Sequence, residues 1–194
     1  MAAISSALLA LLKEGDHIIS SAFLFGNTNS FFGTLKRLGI EVTFVDATEA
    51  CFVESAIQEN TKLVFVETIA NPVTQVADLK AIGELCKLKS LIYCVDNTMT
   101  SPHLFLPKKV QASLIVNSLT KYIGGHGNAL GGIITDTGLY DWSEFGNIYD
   151  AYRTEKSERQ GITQIKKKHP GWTDNLSLIV GTDEIQQWIE GGYK

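Results

Sequence analysis

Lys121 lies three residues after Ser118, one after Thr120, and just ahead of Gly124, Gly125 and Gly127, in the stretch NSLTKYIGGHG. A solvated surface lysine needs no such setting. An amine that must bond covalently to a phosphorylated group does: hydroxyls before it can bind phosphate, and glycines after it leave the side chain room to swing. Four further stretches carry reactive or polar types beside apolar runs: Ser20 and Ser21, Phe25 in FLFGNT, Glu67 with Asn71 in VETIAN, and Asp96 with Asn97 and Thr98 in VDNT. Each has a plainer reading on its own. A lysine in a glycine-rich loop is commonly just solvated, Asp-Asn-Thr can close a strand as a turn, and a single phenylalanine more often packs in a core. GGHGNALGG lacks the Gly-Lys-Ser/Thr step of a nucleotide-binding loop. His126 reads equally as a base or as a loop stabiliser.

What raises these residues together is the pattern of elements that must carry them. Short β-branched or apolar runs at residues 17–20, 41–46, 62–68, 91–98, 112–118 and 129–136 read as strands. Between them, residues 31–39, 51–60 and 76–89 read as helices, the first closed by Gly39 and the last striped by Val76, Leu79, Ile82 and Leu85. Strands alternating with helices predict an α/β domain with a mostly parallel sheet sandwiched by helices. Ligands of such sheets bind beyond the carboxyl ends of the strands. Ser20 and Ser21, Glu67 with Asn71, Asp96 with Asn97 and Thr98, and Ser118 to Lys121 fall at or just past strand ends, so they should converge on one crevice.

That set suits pyridoxal 5′-phosphate. Lys121 supplies the bonding amine. Asp96 supplies an acid partner that keeps the pyridine nitrogen protonated. Strand alternation can turn Ser118 and Thr120 toward the phosphate, and Phe25 can stack on the ring.

Composition narrows the remaining classes. A net charge of -4 argues against nucleic acid as the main partner, since phosphate backbones need a basic surface. Lys166 to Lys168, with His169, read as a solvated face. No apolar run reaches the ~18 residues of a membrane span. The opening MAAISSALLALLKEGD lacks a basic flank and carries Glu14 and Asp16 where a cleavage site would fall, so it reads as a buried helix rather than a signal peptide. Cys51, Cys86 and Cys94 have no metal-ligand spacing and read as buried or free thiols of a cytoplasmic protein. No metal site is expected.

VETIANP, VDNTMTSP and VNSLTKYIGGHG resemble, in order and spacing, the Cys/Met-metabolism family of pyridoxal-phosphate enzymes, over roughly residues 1–136. The resemblance implies the aspartate-aminotransferase type of fold (fold type I), a large cofactor domain followed by a small C-terminal one. It matches Lys121 to the lysine that carries the cofactor, Asp96 to the pyridinium partner, and Ser118 and Thr120 to phosphate ligands. It matches Asn71 to an amide near the phenolic oxygen and Glu67 to a supporting carboxylate. Met1 matches the last residue of a Ser-Gly-Met step whose backbone N–H groups bind phosphate at a helix N-terminus. Phe25 falls where most members have a tyrosine that stacks on the ring and helps proton transfer. Phenylalanine there, and Gly-His-Gly after Lys121, resemble the sulfhydrylase branch.

On this resemblance residues 1–150 form the cofactor domain without its N-terminal arm. Residues 151–172 form a polar linker, and 173–194 a remnant of the small domain. The arginine that binds the substrate carboxylate has no counterpart, since Arg153 and Arg159 do not match its position. The implied function is γ-replacement on an O-acyl-homoserine, of sulfhydrylase or cystathionine γ-synthase type, impaired in this short form. The implied substrate is a small amino acid, and the implied assembly a homo-oligomer, dimer or tetramer. The alternatives are an inactive remnant of the fold and a γ-lyase.

Overall fold

The computed structural model describes residues 1–142 and 145–147, with the backbone of 177 and 178. Seven strands form one sheet in the order β2-β1-β3-β4-β5-β6-β7. They are β1 (His17–Ser21), β2 (Glu41–Val45), β3 (Thr61–Glu67), β4 (Ile92–Asp96), β5 (Leu114–Ser118), β6 (Gly132–Asp136) and β7 (Ser177–Leu178). The pairs among β1 to β5 are parallel, and β6 and β7 join antiparallel. The sheet is therefore mostly parallel, as the alternating pattern implies. The expected linker and most of residues 173–194 lie outside the described residues; the backbone of 177 and 178 pairs with β6.

Parallel strands covered on both faces must be apolar on both faces, and β3 shows how. Leu63 and Phe65 point to one side, Val64 and Val66 to the other, all fully buried. The first side packs against helix α1 (Ala2–Leu11) through Ile4, Ala7, Leu8 and Leu11, and against α2 (Gly26–Arg37) through Phe32 and Leu35. Phe32 meets Phe65 edge-on at 5.3 Å between ring centroids. The second side packs against Val53 of α3 (Ala50–Ser55) and Ile82 and Cys86 of α4 (Leu79–Leu88). The opening segment is thus a core helix.

Two helices begin elsewhere than the periodicity suggests. α4 starts at Leu79 because Asp78 caps it, accepting from the Ala81 N–H at 3.2 Å. Val76 lies before the cap and is exposed. α2 starts five residues earlier than its apolar stripe, at Gly26. Gly26, Asn27 and Asn29 are poor helix formers, and no side chain caps this end. Instead the Phe25 N–H is held by Glu67, a residue of β3, which local sequence does not disclose. α3 is short, ending at Ser55.

The strand order positions the site. From β1 the chain steps outward to β2, then returns past β1 to β3 and continues the other way to β4 and β5. This reversal puts a topological switch point between β1 and β3, at the carboxyl edge of the sheet. Because β6 runs antiparallel to β5, the connection bearing Lys121 closes over that same edge.

Candidate active site

Glu67, Asp96 and Ser118 end three adjacent parallel strands. The register pairs Glu67 with Asp96, and Asp96 with Val116, two residues before Ser118. Lys121 lies three residues beyond, in a π-turn (Leu119–Ile123) with non-helical φ/ψ at the lysine itself (-88°, -120°). Its side chain is exposed and makes no hydrogen bond or ion pair among the described residues. The glycine loop that follows is tied by the Gly125 N–H, which donates to the Lys121 carbonyl at 2.8 Å. His126 Nδ1 contacts the Gly124 carbonyl at 3.0 Å, a contact within its own loop.

Asp96 is held on one side only. Its Oδ1 accepts from the Thr98 N–H at 2.9 Å and from the Thr98 hydroxyl at 2.5 Å. Oδ2 has no hydrogen-bond partner among the described residues. Burial pushes the Asp96 carboxyl above the usual carboxylate range, and Thr98 pulls against that rise. A flat cation offering one N–H to Oδ2 would satisfy the open oxygen and stabilise the charge, which is what a protonated pyridine provides.

Thr98 stands in the sequence only as a neighbour of Asp96 or part of a strand-closing turn, and its role as a tie between strands is not foreseen there. Its Oγ1 also accepts from the Ser118 N–H at 2.9 Å, so one hydroxyl ties the ends of β4 and β5. Behind it, Thr100 donates to Asn97 Oδ1 at 2.5 Å, Asn97 donates to the Phe105 carbonyl, and Thr68 meets Thr100 at 3.2 Å. The Asp-x-Thr spacing was the available signal.

A phosphate would find its partners at the other side of Lys121. The Ser118 hydroxyl has no partner among the described residues. Ser118 pairs with Gly132, and a Cβ on Gly132 would lie 2.9 Å from the Cβ of Ala3. Only glycine lets the strand run flush against the first turn of α1. The first turn of α1, whose N–H groups lack partners within the helix, therefore packs beside the Ser118–Gly132 pair. Met1 sits at the same place, its sulfur 3.9 Å from the Thr28 hydroxyl. Thr120 departs from the alternation argument. The strand stops at Ser118, and the Thr120 hydroxyl accepts from the Gly131 N–H at 3.1 Å and contacts the Gly131 carbonyl at 3.4 Å.

On the switch-point side, the Phe25 ring is 44 % exposed and free to stack on a flat ligand. Asn71 is exposed. Glu67 is buried, and both its oxygens are taken: Oε1 by the Phe25 N–H at 2.7 Å and Oε2 by the Asn71 N–H at 3.1 Å. Burial, with a smaller contribution from Asp96, moves its carboxyl up to about 7 against the pull of these two bonds. Ser20 and Ser21 are buried inside and at the end of β1 and bond to local backbone, so they do not join the crevice.

Among the described residues no cluster of His, Cys, Asp or Glu could hold a metal, and no helix is long and apolar enough to cross a membrane. The three cysteines are unbridged, and burial pushes the Cys86 thiol up to about 12.

A mostly parallel sheet covered by helices, with an exposed lysine, a partly buried and half-satisfied aspartate and an exposed aromatic ring at its carboxyl edge, fits the fold type I class of pyridoxal-phosphate proteins. The chain belongs to the Cys/Met metabolism PLP-dependent enzyme family, whose model matches residues 1–153. It is 40% identical over 153 residues to L-methionine gamma-lyase of Fusobacterium nucleatum subsp. polymorphum, covering 77% of this chain and 39% of that protein. Among solved structures, O-acetylhomoserine sulfhydrylase of Wolinella succinogenes is 43% identical with a TM-score of 0.72, over 79% of this chain and 44% of that one. A Campylobacter jejuni protein assigned as an O-acetylhomoserine (thiol)-lyase, whose structure carries a pyridoxyl-lysine monophosphate, is 36% identical with a TM-score of 0.68, over 71% and 34%. The chain thus spans less than half the length of each of these relatives.

Proposed function

We propose that this chain carries the cofactor half of an enzyme performing γ-replacement on an O-acyl-homoserine, of sulfhydrylase or cystathionine γ-synthase type, working as a homo-oligomer. When bound, pyridoxal phosphate supplies an electron sink for the charge left when the substrate Cα loses its proton. The chain's own residues do the rest. Lys121 bears the bonding amine and, once displaced by the substrate's amine, takes the proton from Cα and returns protons along the substrate. Asp96 holds the proton of the ring nitrogen through Oδ2. Phe25 covers one ring face, Asn71 offers its amide to the phenolic oxygen, and Ser118 and the first turn of α1 from Met1 hold the phosphate, joined by Thr120 when its hydroxyl hydrogen turns from its 3.4 Å contact with the Gly131 carbonyl to the phosphate. The acyl group leaves Cγ as a carboxylate, and a sulfide or thiol sulfur takes its place.

The observation that carries the choice of branch is Phe25. Its ring stands exposed at the crevice and brings no hydroxyl to the place where most members have a tyrosine. The relative with γ-lyase activity keeps elimination as the second reading. The experiment offers O-acetylhomoserine with sulfide, and separately methionine, with Lys121→Ala as the blank. Lys121-dependent homocysteine supports γ-replacement. Lys121-dependent 2-oxobutanoate from methionine supports elimination instead. Equal signals from wild type and blank would leave a non-catalytic fold.

A further inference from the structure

Lys121, Asp96, Ser118 and Phe25 each keep a polar or aromatic group free for a ligand, and Glu67 does not. Glu67 is 6% exposed, and both its oxygens are spent on backbone N–H groups. Those two groups belong to different loops. Phe25 lies on the connection leaving β1, and Asn71 on the connection leaving β3. The two loops flank the topological switch point, and both carry side chains assigned above to the cofactor.

We propose that Glu67 is a positioning residue: its carboxylate bridges the Phe25 and Asn71 loops and so sets the width of the cofactor slot. Its purpose rests on the cofactor reading, but the bridge itself does not.

The chemistry of the side chain supports this role. A planar carboxylate can accept at both oxygens at once. Glutamine has the same shape but one acceptor, and its NH₂ would face an N–H donor at one jaw. α2 has no side-chain cap, so the Glu67 bond at Phe25 is what fixes the backbone where that helix begins. A negative charge before a helix N-terminus is also favourable there. A protonated carboxyl is likewise wrong for two N–H donors, because one oxygen becomes a donor itself. The carboxyl sits near 7, so mild acid should open a jaw. The titratable group facing it is Asp96, its register partner on β4. β1 ends in uncharged Ser20 and Ser21, α2 opens with Gly26, Asn27 and Thr28, and residues 68–73 carry no charge.

The test needs no ligand. Hydrogen-exchange protection factors are read by NMR at the Phe25 and Asn71 amides, with Val64 and Val66 of β3 as references. In the wild type at pH 8 both loop amides should be protected. Glu67→Gln should lower at least one of them about tenfold or more, with Val64 and Val66 unchanged. The wild type at pH 6 should show the same selective drop, and the variant should not respond to pH. Unchanged loop amides in Glu67→Gln, or loss in step with Val64 and Val66, would overturn the bridge. The wild-type pH comparison decides the matter if the variant does not fold. A second arm titrates pyridoxal 5′-phosphate, where Glu67→Gln should bind about tenfold more weakly while Lys121 is still trapped by borohydride. If Lys121 is trapped in neither protein, the cofactor reading fails while the exchange data still decide the bridge.

Discussion

Thr98 clasps Asp96 twice, through its N–H at 2.9 Å and its hydroxyl at 2.5 Å, and the same hydroxyl takes the Ser118 N–H. The residue meant to hold a ring proton and the residue meant to hold a phosphate are thereby locked to one another. Hydrogen bonds to charged groups are worth about 1.5–3 kcal/mol. Thr98→Val removes both hydroxyl bonds and should weaken pyridoxal-phosphate binding about tenfold to a hundredfold. Thr98→Ser keeps the hydroxyl and should bind nearly as the wild type. Fluorescence or absorbance titration of the three proteins checks this, and equal affinities would refute the strut.

On the proposed function, Lys121 is the one covalent link to the cofactor. Incubating the wild type with pyridoxal phosphate and borohydride should add one pyridoxyl group, located by peptide mass spectrometry at Lys121. Lys121→Ala should carry none. A label on another lysine would reassign the amine.

His17 gives the fold an acid-sensitive point far from the crevice. Its ring is fully buried at the start of β1, with Nδ1 2.7 Å from the Thr61 hydroxyl and Nε2 2.9 Å from the Thr43 hydroxyl. Thr61 also accepts the Gln58 N–H at 2.7 Å, which leaves its own hydrogen free to point at Nδ1 of a neutral ring. Burial lowers the His17 pKa below its ordinary 6.5, with Glu41 opposing. The unfolded chain therefore binds this proton before the native state does. His17's contribution is complete above about 6.5 and is lost as pH falls from there through the lowered native value. Denaturant midpoints should drop between pH 8 and pH 5, and less so in His17→Gln. An identical pH dependence in the two proteins would remove His17 from the account.

Gly83 marks where α4 runs flush against its neighbour. A Cβ there would lie 1.8 Å from the Val110 carbonyl oxygen and 2.9 Å from its carbon. Backbone must move to admit it, so Gly83→Ala should cost about 1–3 kcal/mol or more despite better helix propensity. At this chain length each kcal/mol lowers the melting midpoint by about 2–4 °C. A thermal melt equal to the wild type would contradict the packing.

Much of the fold was legible because its signals are local. Strand runs at 62–68 and 112–118 are apolar and β-branched whatever surrounds them, and their alternation with helices already calls for parallel pairing. That pairing alone puts Glu67, Asp96 and Ser118 at one edge. The side-chain assignments were less legible. Thr120 was expected to follow strand alternation, yet the strand stops at Ser118 and a turn points its hydroxyl at Gly131. The start of α2 was hidden because the group that holds Phe25 comes from forty-two residues further along the chain.

Asp46 and Asp96 show where local sequence stops deciding. Asp96 ends β4, Asp46 directly follows the last residue of β2, and each is followed two residues later by threonine. Each carboxylate accepts from that threonine's N–H and hydroxyl, at 2.9 and 2.7 Å for Asp46 and at 2.9 and 2.5 Å for Asp96. The motif, its turn and its hydrogen bonds are set by the sequence alone. Yet the Asp46 carboxyl is lowered, chiefly by its bonds to Thr48, while the Asp96 carboxyl is raised, chiefly by burial. The difference is the strand's place in the sheet. β2 is an edge strand, where water solvates the charge, and β4 lies inside the sheet between β3 and β5. Only the tertiary structure takes water away from one of two equivalent carboxylates, and a charge short of water is the one that has use for a cationic ring.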